Sequence, residues 1–595
     1  MLDKQREVCY NKAMTRRNEK VHVVTTEKRY TTKDGTEKTH HTHLLRHTYR
    51  EGDKVNNRTV ANISHLPIEA IDALRDVLNG KTLIPASSAF SITRSLPHGA
   101  ACAIWEFARK IGLHKLLGPP SEMRNICLSL IISQIIKPQS KASFSSWWED
   151  TTLGVDLNIA NIHTDRIYEA MDWLYEKKDK IENELVRTHL EEGSFVLYDL
   201  SSSYVEGTHC PLASFGYSRD KKRGRRQIEY GVVATTEGMP LSMEVFPGNT
   251  SDPKSFIKAV SKLKDQFHLE KLVMVGDRGM ITEARIDTLK SDTDFGWVSA
   301  LRSVQIKQLV KDEAIQPTLF DEMDMAEITH PDYEAERLVC CRNPLLAEDR
   351  RRTRQELLQA TEADLEKVAA RVERGGLKDP AKIGLAAGRV LNRHKMAKHF
   401  DLDIKERSFS FSRREDSIAQ EEALDGIYVI RTSCTEDQLK TAEVVSTYKS
   451  LANIEKDFRS MKSVDLNIRP IRHWLEHRVR THGFICLLAA HLVWRMRKAL
   501  APLSFTDEAP ETERRNPVAK ATRSRAADLK AARRAQPDGA QVRSFQGILS
   551  HLDTLIRSTC KVPETEATFE KLSDPTDTQA KVFELLGITI PLTIK

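Results

Sequence analysis

The chain has 595 residues, 29% of them charged and 6% aromatic, with a formal net charge of +7. That length exceeds a single hydrophobic core, so several domains are expected. The longest apolar run, Phe484 to Val493, is interrupted by His491 and is too short to cross a bilayer, so no membrane partner is expected.

The mild positive charge permits a nucleic-acid partner without requiring one. The nine cysteines are scattered, with no Cys-x-x-Cys pair, which reads as reduced thiols and argues against a zinc finger. Residues 1–20 are polar, charged and expected to fray. They lack the apolar core of a signal peptide, so a cytoplasmic protein is expected.

From Val21 to Ser64 the chain reads as strands. The runs His22–Thr26 and His43–Tyr49 are rich in β-formers, with turns at Lys33-Asp34-Gly35 and Glu51-Gly52-Asp53. His40, His41, His43 and His47 are read as positions of a half-exposed strand rather than metal ligands, since no cysteine or acidic partner stands beside them. Pro67 to Asn79 reads as a short helix stopped by Gly80, and 81–95 as a linker. These residues make a β-rich segment, 1–80, with a possible DNA-contacting role.

Residues 95–192 read as a helical domain. Ala100–Ile111 ends at Gly112, Met123–Ile136 stops before Pro138, and Ile167–Leu174 and Ile181–Leu190 continue the series. Trp147 and Trp148 are read as core. The domain is a candidate for DNA binding, although no helix-turn-helix signature marks a recognition helix.

Phe195 to Tyr204 is a buried-type strand with a carboxylate, Asp199, inside it. Ile228–Thr235 and Leu241–Phe246 form a hairpin across Glu237-Gly238-Met239-Pro240. Pro253–Leu263 is a helix. Lys271–Gly279 is a second buried strand, ending on Asp277 in a Gly-flanked turn. A helix at Ile281–Leu289 and a strand at Phe295–Leu301 follow. This order fits an RNase H-like mixed sheet, with sites at the carboxyl ends of its strands. The first part of this catalytic core spans 193–302.

Residues 303–426 break the rhythm and read as an insertion domain. A charged helical run covers Asp349–Arg374, and strands are expected at Phe409–Ser412 and then at Ile427–Ile430. The second part of the core spans 427–500. A basic flexible linker, 501–544, carries Arg514, Arg515, Lys520, Arg523, Arg525, Lys530, Arg533 and Arg534. It either touches DNA phosphate or is solvated. A C-terminal segment, 545–595, closes the chain. The fold class expected is therefore multidomain α/β: a β-rich segment, a helical domain, and an RNase H-like core interrupted by an insertion.

Thr447 to Lys462 has no proline or glycine and reads as one helix. Tyr448, Glu455 and Lys462 are spaced by seven, two turns each, and fall on one face. A hydroxyl, a carboxylate and an ammonium in a row suit a phosphodiester held beside a metal ion, although charges at this spacing also describe a solvated face. Asp199 and Asp277 tip the reading. Three carboxylates converging on one point repel unless divalent cations neutralise them, and a pair of Mg²⁺ ions there suits phosphodiester chemistry.

The chain resembles DDE transposases of bacterial insertion sequences, in the group with a Tyr-x2-Arg-x3-Glu-x6-Lys signature. Tyr448, Glu455 and Lys462 match its spacing, while Leu451 stands where the signature has arginine. Phe215–Lys221, Glu244–Thr250 and Gly276–Met280 are similar to the family's core motifs, and the resemblance covers roughly 95–500. It implies that Asp199, Asp277 and Glu455 are the catalytic, metal-binding triad, holding two Mg²⁺ ions for which Mn²⁺ can substitute. It also implies that Tyr448 and Lys462 contact the transposon end, with Arg459 a partial substitute for the absent arginine.

Arg219 and Lys221, in the basic stretch to Arg226, are read as DNA-contacting, with a solvated turn as the alternative. Arg278 contacts phosphate or balances Asp277. Trp297 is read as sheet core. Arg478 and His482 share a helix face and either orient the Glu455 helix or approach DNA. The resemblance implies a mobile-element enzyme that binds terminal inverted repeats in double-stranded DNA, cleaves, and transfers strands to target DNA. It would act as a homodimer in a synaptic complex, at the nucleoid when bound. Two alternatives stay open: a metal-dependent nuclease of the same fold without strand transfer, and a non-catalytic DNA-binding repressor of transposition.

Overall fold

A computed structural model describes residues 20–594 apart from 35–36, 82–88, 221, 223, 270, 283–285, 288–294, 321–322, 509–515, 520–521, 538 and 564. The chain divides into two compact units, Met1–Arg94 with Ser558–Lys571, and Ser95–Arg557 with Leu572–Lys595.

In the first unit, β1 (Lys20–Thr31), β2 (Glu37–Glu51) and β3 (Lys54–Asn62) form an antiparallel sheet in that order. Helix α1 (Ile68–Leu78) buries Ile71 and packs on β1. The His43 ring pairs with Thr25 Oγ1 at 2.9 Å across the β1–β2 register, and His41 faces Glu27. Within the expected linker, Ser91–Pro97 is a strand, β4, while 82–88 lie outside the described residues.

The second unit opens with helices α2 (Gly99–Lys110), α3 (Glu122–Ile136), α4 (Lys141–Glu149) and α5 (Thr164–His189). The Ser121 side chain caps α3 by accepting from the Arg124 amide. Apart from its first turn, α3 is buried nearly all round, as its apolar sequence dictates. Trp148 is fully buried, stacks on Phe144, and donates to Ser133 Oγ at 2.9 Å. Trp147 is half-buried against the same core.

A mixed sheet is the centre of this unit. Its strands are β5 (Phe195–Tyr204), β6 (Gln227–Thr235), β7 (Pro240–Pro247), β8 (Val273–Val275), β9 (Gly296–Ala300), β10 (Met325–Ile328), β11 (Arg337–Arg342) and β14 (Ile427–Thr432). The order is β10-β11-β14-β9-β8-β5-β6-β7. Strand β5 runs antiparallel to β6 and parallel to β8, and β8 runs parallel to β9. Helix α6 (Asp252–Ser261) follows β7, and α7 (Ser303–Lys311) follows β9. The helix expected at Ile281–Leu289 falls largely outside the described residues. Trp297 is 2% exposed within the sheet.

The segment 303–426 is not wholly an insertion. Strands β10 and β11 extend the main sheet beyond β14. The excursion that does leave the sheet comprises α8 (Pro344–Glu373), α9 (Pro380–His394), the hairpin of β12 (Phe400–Lys405) and β13 (Ser408–Arg413), and α10 (Glu415–Glu422). It has its own core of Leu358, Leu365, Ile383, Ala387, Phe400 and Phe409.

After β14 come α11 (Thr441–Lys449), α12 (Leu451–Arg459) and the long α13 (Glu476–Ala499), which packs on α3, α5 and β7. The segment expected to be a flexible linker is partly folded. Val518 is fully buried, Lys449 Nζ donates to the Val518 carbonyl at 2.7 Å, and Arg525–Arg533 is a helix, α14. Arg514, Arg515 and Lys520 lie outside the described residues. The C-terminal helices α15 (Phe545–Leu552) and α16 (Asp577–Leu586) both pack on α2.

Candidate active site

The sheet register aligns the first two carboxylates. Leu197 on β5 pairs with Val275 on the parallel neighbour β8. Asp199 and Asp277 each stand two residues beyond that pair, close enough for the Asp277 charge to act on Asp199. Strand β8 stops at Val275, and the chain turns at Asp277, whose carbonyl accepts from the Met280 amide at 2.9 Å.

Glu455 arrives from α12, which packs on β5 through the buried Ile454 and Phe458. Phe458 meets the Tyr230 ring edge-on at 5.9 Å. Asn453 Nδ2 donates to the Thr236 carbonyl at 2.9 Å, which ties the start of α12 to the β6–β7 turn. That turn carries Gly238 at φ +93°, a conformation that favours glycine, and an added Cβ there would meet Asn453.

Asp199 is half-buried and accepts one hydrogen bond, from the Leu200 amide at 2.7 Å. Burial pushes its carboxyl up to about 7; the amide and Arg219 pull the other way, and the charges of Asp277 and Glu455 add to the rise. A rise of that size opposes ionisation by on the order of 4 kcal/mol, chiefly through burial. Asp277 and Glu455 are both exposed. Among the described residues, no three histidine, cysteine or carboxylate side chains stand close enough to cage a metal ion. The three side chains are within electrostatic reach of one another without closing on a point.

Tyr448 is half-buried on α11, close enough to Asp277 to feel its charge. Burial raises its phenol well above the usual range, and the Asp277 charge adds to this while Arg278 opposes it. Arg278 is exposed beside them, its amide donating to Asp277 Oδ1 at 2.7 Å.

The Thr447–Lys462 stretch is not one regular helix. It breaks at Ser450 between α11 and α12, and Ser460–Val464 widens into a π-helical turn. The wider turn spoils the seven-residue spacing before Lys462. Lys462 Nζ lies 2.9 Å from the buried Asp220 carboxylate, which also pairs with Arg469. Burial lowers the Lys462 ammonium, with Asp220 opposing. Leu451, in the place of the signature arginine, is half-buried against the main core. Arg459 is exposed and has no ion-pair partner among the described residues.

Arg219 is committed internally rather than free for DNA. Its guanidinium reaches Asp252 at 2.5 Å and Glu229 at 3.2 Å, and its amide donates to Ser202 Oγ at 3.0 Å. Burial pushes Glu229 up to about 7, with Arg219 pulling it down. Glu229 and Asp252 are site neighbours that sequence reasoning missed. A carboxylate inside the apolar strand Ile228–Thr235 was the available signal, as it was for Asp199. Lys221 lies outside the described residues. Arg478 forms a two-pronged pair with Asp172 on α5, at 2.9 and 2.8 Å, and His482 Nε2 bonds the Ile468 carbonyl. Both fasten α13 rather than face DNA.

An open cleft of about 870 Å³ extends from Asp277, Arg278 and Tyr448 toward Lys307, Arg350 and Lys398. It joins the carboxylates to the helical excursion.

Residues 192–492, half of the chain, match the family model described as Transposase DDE domain. The chain belongs to the DDE transposase family. Residues 28–85 of the transposase match the model described as IS1634 family transposase, N-terminal domain. No curated protein matches the transposase in sequence. Among solved structures, a cryo-EM structure of the piggyBac transposase synaptic complex with hairpin DNA is 9% identical with a TM-score of 0.35, covering 77% of this chain and 80% of that one. That likeness is too weak to bear on the fold. The transposase is thus an insertion-sequence enzyme that cleaves and joins DNA by metal-dependent chemistry. No helix among its described residues is long and apolar enough to cross a membrane.

The donor set fits such a metal. Carboxylate oxygens are the ligands hard divalent cations take, so the chemistry of Asp199, Asp277 and Glu455 suits one.

Proposed function

We propose that Asp199, Asp277 and Glu455 form the metal-binding catalytic triad of an RNase H-like core. The placement of Asp199 and Asp277 two residues beyond the last β5–β8 pair, within reach of each other's charge and that of Glu455, carries this reading. The strand run β7-β6-β5-β8-β9 supports the core assignment: three antiparallel strands, then two parallel to the first, with that first strand central. Two bound Mg²⁺ ions would orient the attacking oxygen and stabilise the leaving oxygen of a phosphodiester.

The chain's own residues do the positioning. Strand β5 carries Asp199, whose carboxylate oxygens would be metal ligands. Arg219 favours the ionised form of Asp199 by holding positive charge near it. Tyr448 stands near Asp277, where its hydroxyl would orient that carboxylate. Arg278 stands exposed beside Asp277, where a DNA phosphate would meet it. On the family resemblance Lys462 is the second end-contacting group, which would require it to leave its pair with Asp220. Arg459 offers a cation unpaired among the described residues, one turn beyond Glu455. The helical domain 95–192 and the N-terminal β-rich segment are the proposed readers of the transposon ends. A homodimer is the proposed synaptic unit, on the family resemblance.

The test uses the full chain in Mg²⁺ with a labelled duplex carrying the inverted repeat that flanks its gene, and a supercoiled plasmid. Joined plasmid products are expected, and none with Asp199→Asn. Cut ends without joined products would favour a nuclease, and unchanged cleavage by Asp199→Asn would overturn the triad.

A further inference from the structure

Away from the carboxylates, a recess of about 450 Å³ opens between the start of α4 and the segment leading into α13. Its floor holds Lys141, which is 3% exposed. The ammonium donates to Gln134 Oε1 at 2.7 Å and lies 4.9 Å from the Phe144 ring centroid, and no carboxylate pairs with it among the described residues. A buried cation without a counter-ion is costly, and burial accordingly pushes Lys141 down to about 8.

The other walls mix arginines and rings with neutral residues such as Gln139, Ser140 and Asn467. Arg469 and Arg472 stand at the rim, and among the described residues no acidic side chain lines the recess. The nearby acids are committed, Asp220 to Lys462 and Arg469, and Glu206 to Arg472 at 3.2 Å. The recess sits at the positive N-terminal end of α4. His482 lines it and is 7% exposed, and its Nδ1 has no hydrogen-bond partner. The His473 ring lies between Tyr168, at 6.2 Å, and His482, at 5.3 Å.

We propose that this recess binds a phosphate monoester, with the phosphate on Lys141 and the rim arginines and a nucleoside ring against Tyr168 and His473. A dianionic phosphate supplies the negative charge Lys141 lacks, and aromatic faces accept any base. The ligand is either a free nucleotide or the phosphorylated end of a DNA strand.

Calorimetric titration of the full chain with dAMP, in EDTA so that no metal-dependent site contributes, tests this. Saturable binding is expected. Lys141→Met should weaken it at least about tenfold, and Arg472→Gln, on the exposed rim, at least about threefold. Competition by a 5′-phosphorylated oligonucleotide but not by its 5′-hydroxyl twin would assign the site to a strand end, and competition by neither would assign it to the free nucleotide. Absence of binding, or equal affinity in both variants and the parent, would overturn the proposal.

Discussion

Lys462 and Asp220 form a buried ion pair at 2.9 Å, and Arg469 shares the same carboxylate. Asp220 is 1% exposed, so removing its charge strands two partly buried cations. Asp220→Asn is expected to cost roughly 3 kcal/mol of stability, measured by urea denaturation. A cost below about 1 kcal/mol would mean that Lys462 relaxes to solvent and the pair does not hold the turn.

Tyr448→Phe keeps the ring that packs on the core and removes a hydroxyl within electrostatic reach of Asp277. Stability should change by about 1 kcal/mol or less, while cleavage of end DNA falls about tenfold or more. Unchanged cleavage would show that Asp277 needs no such orientation.

Leu451→Arg would restore the residue type of the family signature. Since Leu451 is half-buried against the main core, the change should lower stability by about 1–2 kcal/mol without tightening end binding. Tighter binding in a gel-shift titration at unchanged stability would show that the position still faces DNA.

His491 is 2% exposed inside α13, with Nδ1 on the Pro240 carbonyl at 3.1 Å. Burial lowers its pKa to about 4; the Pro240 bond opposes this, while the charges of His189 and Arg495 add to it. A histidine held below its unfolded value of 6.5 contributes stability above that pH and loses it as pH falls toward 4. Between those values His491 should account for up to roughly 3 kcal/mol of acid destabilisation. Urea titrations across that range should show a shallower loss in His491→Gln, and an identical pH slope would contradict the assignment.

The sequence was most legible where one element buries one pattern. The apolar run holding Asp199 predicts β5 from Phe195 to Tyr204, and the Gly238-Met239-Pro240 turn places the β6–β7 hairpin. Strands β10 and β11 escaped because apolar runs of four to six residues have no periodicity to separate strand from helix. The break at Ser450 and the π-helical turn at Ser460 carry no proline or glycine to announce them. Partners far apart in the chain, such as Lys462 with Asp220 or Arg219 with Asp252, cannot be read from spacing. The basic composition of 501–544 hid the apolar anchor Val518.

The central claim is that carboxylates on two adjacent parallel chains and one helix share a divalent-cation site. Mn²⁺ binding to the full chain, followed by electron paramagnetic resonance, tests it directly in Asp199→Asn, Asp277→Asn and Glu455→Gln. Each change alone should weaken Mn²⁺ binding about tenfold or more and abolish cleavage of end DNA, with the circular dichroism spectrum unchanged. Mn²⁺ affinity indifferent to any one of the three would contradict the account.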